Sequence, residues 1–376
     1  MPVNLPQNQT EITEAPRPSA LGKINLFLQK FSTVPISEKL FFVQYLGIML
    51  KAGISLSVAL KTLAKQTANK KFSKIISDVS RNVEKGVSFT ESLRPHEKIF
   101  GLLFINMIES GEISGKLEET LKRLYIQFKK NHELVAKVRG ALTYPIVILA
   151  AMGGIGVFMM MVVVPKITGM FKDFNAELPL ATKILIKFSD SLISHGPFYL
   201  IGSVIGALIL VQLCRTAKGR YLLHGLLLKL PIFGKIIKKI NLARFARTIS
   251  SLLKTDIMII KCFQITSSVL GNVYYRDALM EMSGRIKKGG TISQSIADYK
   301  KLFPPVVEQI VSVGEETGEL DYVLEELAEF YEGEVDQTMN NLPAIIEPVL
   351  ILTLGLVVGA MAVAIIMPMY SLTSAI

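Results

Sequence analysis

Cysteine and histidine are scarce in this chain of 376 residues: the two cysteines are Cys214 and Cys262, and the four histidines stand singly at His96, His132, His195 and His224. Two distant thiols make neither a disulfide framework nor a zinc quartet, and isolated imidazoles make no ligand cluster. Metal and cysteine chemistry are set aside and no cofactor is expected. No nucleophile with a base, metal set or phosphate loop converges either, so the chain is not expected to be an enzyme. Also missing from the polar, proline-containing stretch Met1 to Pro18 is a basic region followed by an apolar core and a small-residue cleavage site. No cleavable signal peptide is expected there.

The absence of charge over long stretches is more informative. Half of the residues are apolar (50%) although 19% are charged, so the two kinds must be segregated. Charge is missing from Ala141 to Val164, from Gly196 to Cys214 and from Pro348 to Ile376. Each run reaches the roughly 17–25 residues that a helix needs to cross a bilayer core. Three membrane spans are predicted.

The net charge of +11 flanks those runs. Lys129, Lys130, Lys137 and Arg139 precede the first, and Arg215, Lys218 and Arg220 follow the second, with Lys229, Lys235, Lys238, Lys239, Arg244 and Arg247 soon after. Lysines and aspartate or glutamate mix between the two runs. The positive-inside bias puts the N-terminus in the cytoplasm and the C-terminus outside. Once that bias is removed no basic and aromatic stripe remains, and no nucleic-acid partner is expected.

The chain repeats itself at an offset of 203 residues. Phe42 matches Phe245, Leu50-Lys51 matches Leu253-Lys254, Ile54 matches Ile257, Lys85-Gly86 matches Lys288-Gly289, and Phe100 matches Phe303. Gly111-Glu112 and Gly115 match Gly314-Glu315 and Gly318; Leu117, Leu121 and Leu124 match Leu320, Leu324 and Leu327. The register persists without a gap as Ala141, Pro145, Gly156 and Pro165 match Ala344, Pro348, Gly359 and Pro368. Duplication is the simplest account. The second span returns the chain to the cytoplasm, so both copies lie on one side of the membrane.

Each copy reads as helical. Phe72, Ile75, Ile76, Val79 and Val83 recur at the spacing of one helix face, and Gly86 stands where a C-terminal glycine cap belongs. Ser88 with Glu91, and Thr291 with Gln294, have capping-box spacing. An apolar helix around Leu102 to Ile108, a turn from Gly111 to Gly115 and a long segment from Lys116 into the first span follow. The expected plan is an all-α membrane protein with two tandem homologous cytoplasmic helical-bundle domains and three transmembrane helices. Its parts are a polar N-terminal tail over 1–36, a first cytoplasmic domain over 37–140, spans over 141–165 and 196–214 joined by an extracytoplasmic loop over 166–195, a second cytoplasmic domain over 215–342, a third span over 343–370 and an extracytoplasmic tail over 371–376. In the N-terminal tail Leu21, Ile24, Phe27, Leu28 and Phe31 with Lys23 and Lys30 suggest a basic amphipathic helix, placed either on the bilayer or on the first copy.

Candidate sites are few. The run Gly111 to Leu117 invites a phosphate-loop reading and fails it: three residues stand between its glycines instead of four, Leu117 follows Lys116, and the second copy has Glu319 for the lysine. Gly111, Glu112 and Gly115, with Gly314, Glu315 and Gly318, are expected to form structural turns, the alternative being that exposed Glu112 or Glu315 also meets a partner. Glu347, before Pro348, adjoins the third span near its cytoplasmic end; the first copy has Tyr144 before Pro145, so a proton relay would lack its twin, and a structural or interfacial role is expected. Gly355 with Gly359, and Gly202 with Gly206, have the spacing that lets membrane helices approach closely, within a chain or between chains. Pro165 and Pro368 bound the first and third spans. Met159, Met160 and Met161 are consecutive, point different ways and are expected to face lipid or packing neighbours rather than a metal.

Taken together, Leu50-Lys51-Ala52-Gly53-Ile54, the two Gly-Glu-x-x-Gly-x-Leu runs at Gly111 and Gly314, Tyr144-Pro145, and Glu347-Pro348 with Pro368 resemble the family of protein F of type II secretion systems, called PilC in type IV pili. That resemblance implies an inner-membrane assembly platform that couples a cytoplasmic assembly ATPase to extraction and polymerisation of pilin-like subunits. The partners it implies are that ATPase, the pilin-like subunits, other inner-membrane components of the machine, the lipid bilayer and further copies of the chain. The alternative is a small membrane transporter subunit, which should place polar groups near mid-membrane; the first and third runs hold almost none.

Overall fold

Several helix boundaries follow from caps written in the sequence. In the first copy the computed structural model has α1 (Ile36–Lys51), α2 (Leu56–Gln66), α3 (Lys70–Glu84), the short α4 (Phe89–Leu93) and α5 (Glu97–Phe100), α6 (Leu102–Ile113) and the long α7 (Leu117–Phe158). A π-helical segment (Met159–Val163) joins α7 to α8 (Val164–Lys172), and α9 (Leu180–Arg215) and α10 (Ala217–Lys229) follow. The second copy comprises α11 (Phe233–Leu253), α12 (Ile259–Val269), α13 (Val273–Lys287), α14 (Ile292–Ala297), α15 (Pro305–Thr317) and α16 (Leu320–Thr373). The structure describes residues 34–172 and 180–373, and no strand occurs among them. The amphipathic segment around Leu21 to Phe31 lies outside the described residues.

A shift of 203 residues carries α2 onto α12 and α3 onto α13 end for end, and the start of α7 onto that of α16. The caps are duplicated too. Asn69 accepts from the Phe72 amide and Asn272 from the Tyr274 amide, each at 3.0 Å. The Ser88 and Thr291 hydroxyls accept from the Glu91 and Gln294 amides, each at 3.2 Å. Gly86 (φ +85) and Gly289 (φ +92) end α3 and α13 in the left-handed region that favours glycine.

The chain forms two compact units, one ending at Phe100 and one beginning at Gly101. In the first, Phe42, Phe72 and Phe100 make a ring cluster with centroids 5.6–5.9 Å apart, surrounded by the buried Leu46, Leu60, Leu63 and Ile76. In the second, the repeat-equivalent Phe245, Tyr275 and Phe303 form the same kind of cluster, with Phe303 5.1 Å from Phe245 and 5.4 Å from Tyr275. A buried phenol needs a hydrogen-bond partner, and the Tyr275 hydroxyl donates to the Leu302 carbonyl at 2.6 Å. Within this second unit α6 packs on both α7 and α12, and α11, α7 and α16 lie against one another.

Three helical segments are long and apolar enough to cross a membrane: Leu117–Lys166, Thr182–Arg215 and Leu320–Val363. Apolar side chains along them, among them Leu208, Leu352 and Leu356, point outward and are not packed on the protein. The helices extend well past the charge-free runs. The stretch 166–195, expected as a loop, is helical to Lys172 and again from Leu180, with Pro197 inside α9; α16 likewise continues through 371–373. The difference has a simple cause: absence of charge marks what hydrocarbon can cover, whereas a helix continues into the interface as long as its backbone stays paired. The π segment falls at the consecutive methionines, where the Ser189 hydroxyl of α9 donates to the Met160 carbonyl.

Candidate functional site

The glycine-rich turns are shorter than the sequence pattern suggests. Gly111 and Gly314 lie inside α6 and α15, and only Gly115 (φ +69) and Gly318 (φ +77) occupy the turns that lead into α7 and α16. Gly111 is needed for close approach: a Cβ there would overlap the Thr120 side chain, 2.8 Å from its Cβ. At Gly314 a Cβ would overlap Val323 and stand 3.1 Å from Leu320 Cα. Each glycine thus lets a short helix pack tightly on the first turns of the long helix that follows it.

Glu315 points back into its own copy. Its carboxylate accepts from the Ile292 amide at 2.5 Å and the Ser293 amide at 2.7 Å, so it satisfies the free N–H groups at the start of α14. Glu112 is half-buried in α6.

Past these turns the two long helices carry opposite charge. Between Leu320 and Pro343, α16 bears Asp321, Glu325, Glu326, Glu329, Glu332, Glu334 and Asp336 with no basic residue; the equivalent part of α7 bears Lys122, Arg123, Lys129, Lys130, Lys137 and Arg139 against Glu118, Glu119 and Glu133. The charges meet: Lys130 pairs with Glu332 at 3.2 Å, and Lys137 with Asp336. Lys239 of α11 pairs with Glu334 at 2.7 Å, and Lys254, just past the end of α11, with Glu325. At the centre the buried Arg247 makes two parallel bonds to the buried Glu332, Nε to Oε1 at 2.8 Å and Nη2 to Oε2 at 3.0 Å, with Glu325 at 3.5 Å and Glu329 at 3.8 Å. Burial opposes the Arg247 charge, but the hydrogen bonds and attraction of Glu332, with Glu325 and Glu329, outweigh it and hold its pKa above the ordinary value. Beside it the buried Gln127 of α7 donates to Thr248 Oγ1 at 2.9 Å and accepts from the Ser251 hydroxyl at 3.1 Å. The result is a three-helix stalk whose seam is polar and ion-paired, and which leads directly into the apolar segments of α7 and α16.

The predicted span residues are dispersed along that route. Tyr144 is exposed and Pro145 buried in α7; Glu347 and Pro348, their counterparts, are both exposed on α16. Pro165 opens α8 half-buried, and Pro368 falls within α16. No atom outside their own helix backbone lies within 4 Å of where a Cβ would sit on Gly355, Gly359, Gly202 or Gly206. Among the described residues, these glycines have no packing neighbour from another element of the chain. Sequence reading missed Arg247, Glu332 and Gln127. Signals marked the first two, a charged residue at a core position of the apolar run in α11 and acidic residues at helical spacing, Glu325, Glu329 and Glu332, on one face of α16, and none marked Gln127.

A duplicated helical bundle whose last helix in each copy runs into a segment long and apolar enough to cross a membrane defines an all-α, multi-pass membrane protein. The family profile of type II secretion system protein F matches the chain twice, over residues 42–165 and 245–368, the same 203-residue offset. The chain is 34% identical to the type IV pilus assembly protein PilC of Myxococcus xanthus over 92% of its own length and 83% of the relative's. It is 35% identical to the protein of the same name from Thermus thermophilus (90% and 83%), and 29% identical to the type II secretion system protein F of Aeromonas hydrophila (98% and 94%). The chain belongs to the type II secretion system protein F family, whose members are platform proteins of pilus and secretion systems. Its three apolar helices and that membership mark it as an inner-membrane protein.

Proposed function

We propose that this chain is the platform through which a cytoplasmic assembly ATPase drives extraction of pilin-like subunits from the membrane and their polymerisation into a type IV pilus or a secretion pseudopilus. The observation that carries this reading is the unbroken passage of α7 and α16 from an ion-paired stalk into apolar segments. A helix is stiff along its axis, so displacing the stalk displaces the spans, as a platform converting ATPase motion into membrane work requires. The lysines and arginines before the first span and after the second support a cytoplasmic N-terminus and an extracytoplasmic C-terminus. The relatives' names support pilus assembly and secretion in equal measure. The glycines of the spans, open in the single chain, suit contacts between copies in a homo-oligomer.

In-cell crosslinking of the tagged chain, followed by identification of its partners, tests this. Recovery of an assembly ATPase with pilin-like subunits is expected, and the subunits recovered distinguish pilus from secretion. Recovery of the chain alone, or with a solute-binding protein, together with solute flux in proteoliposomes, would instead establish a transporter subunit.

A further inference from the structure

Several cations of the stalk are matched to carboxylates. Arg123 pairs with Glu119 at 2.5 Å, Lys130 with Glu332 and Lys137 with Asp336. On α11 Lys239 and Arg247, and just past its end Lys254, are matched likewise. Arg139 and Arg244 are not among them, nor are Lys122, Lys235 and Lys238, but only the two arginines share a cleft. Neither has a carboxylate within ion-pair distance among the described residues, and Arg244 Nε is buried without a hydrogen-bond partner. Both line one cleft of about 480 Å³ between α7 and α11, whose other walls are apolar apart from Thr143, with Leu134, Leu142, Ile146 and Ile240 prominent. The cleft sits where α7 passes from its last charge, Arg139, into the charge-free run beginning at Ala141. That is the level at which a bilayer's headgroups meet its acyl chains.

We propose that this cleft is a binding site for one phospholipid with an anionic headgroup, its phosphate held by Arg139 and Arg244 and an acyl chain lying against Leu142 and Ile146. Charge complementarity selects the occupant. A cation withdrawn from water without a counter-ion is costly, and burial pulls the Arg244 pKa below its ordinary value, so an anion bound there relieves a cost already present in the fold. The apolar walls select against a free phosphate, which would leave them wet. A lipid wedged there would tie the basic helix of the stalk to the membrane leaflet at the entry of the first span. The inference requires that α7 crosses a membrane and is independent of whether the chain serves a pilus or a secretion machine.

The test uses the full chain purified in mild detergent and reconstituted in phosphatidylcholine nanodiscs, titrated with phosphatidylglycerol and read by native mass spectrometry. One phosphatidylglycerol is expected to persist on the wild type, with affinity falling about tenfold in Arg139→Gln, an exposed position whose change leaves the fold intact, and at least as much in Arg244→Gln. Equal retention by the wild type and both variants would overturn the site. Glycerol phosphate competing as well as the whole lipid would show a bare anion site instead of a lipid site. A photo-crosslinker at Val135 is expected to give lipid adducts in cells; protein adducts in their place would show that another chain covers the cleft. Failure to insert into nanodiscs would overturn the membrane placement on which the site depends.

Discussion

The two copies of the repeat share a backbone and differ in charge. Helix starts, capping residues, left-handed glycines and aromatic clusters recur at 203 residues' distance, yet the long helix of the first copy is basic and that of the second acidic. Positions that set the backbone kept their residues, or near equivalents such as Tyr275 for Phe72. Positions where the long helices meet have diverged into complements: Glu332 stands at the position of Lys129, and Arg247 at that of the exposed Gln44. Once two copies occupy one chain, like charges at a shared seam repel, and divergence turns the seam into ion pairs.

Arg247→Gln writes the first copy's residue into the second, and is expected to have the largest effect. It leaves Glu332 buried with Lys130 as its remaining cation and should cost about 3 kcal/mol, seen as a fall in the thermal midpoint of the purified full chain. The double change Arg247→Met with Glu332→Leu should recover most of that loss; a double variant as unstable as the single one would refute the charge explanation. Next come Gly111→Ala and Gly314→Ala. Each should destabilise by about 1–2 kcal/mol, overpacking offset in part by the better helix propensity of alanine. Similar losses in both copies would support a shared packing constraint, whereas a loss in one alone would confine it to that copy.

Glu315→Gln should cost about 1 kcal/mol, because one amide oxygen replaces two carboxylate oxygens at the start of α14. Smaller still is the change at the turn after the first helix of each copy. Gly53 (φ +80) is matched by Asp256 (φ +58), the sole non-glycine with positive φ among the described residues. Asp256→Gly should stabilise by up to about 1 kcal/mol in the same melting assay, and a loss would show that the Lys116–Asp256 pair at 3.7 Å outweighs backbone strain.

The comparison also has a pH-dependent edge at α10, placed between the copies. Burial, then the neighbouring Arg220 and Arg276, hold the His224 pKa below its ordinary value, and its Nδ1 accepts from the Val273 amide at 3.1 Å. A depressed folded pKa means that stability is full above the unfolded value of about 6.5 and declines as pH falls through the folded one. The thermal midpoint should therefore drop between pH 7.5 and pH 5.5, and drop less in His224→Gln; an equal drop in both would assign the acid sensitivity elsewhere.

Much of this architecture was legible in the residues. The caps at Asn69, Ser88, Asn272 and Thr291 act over three residues or fewer, so local chemistry alone sets those helix starts. The charge-free runs likewise mark the membrane segments, because transfer into hydrocarbon depends on composition along one helix. The glycine turns were only half legible. A Gly-Glu-x-x-Gly run does not reveal which glycine turns the chain and which permits close packing; the first depends on φ and the second on Thr120 or Val323 arriving opposite it.

By itself, then, the sequence determined the duplication, the helical class, the three spans and the family, since all of these rest on period, composition and short-range caps. Tertiary structure alone decided that Arg247 meets Glu332 across 85 residues of chain, that Glu315 turns inward to cap α14, and that Arg139 and Arg244 come together in one cleft without a carboxylate. Those outcomes depend on which helix faces lie opposite each other, and the energies of buried charges become large only after packing has removed the water between them.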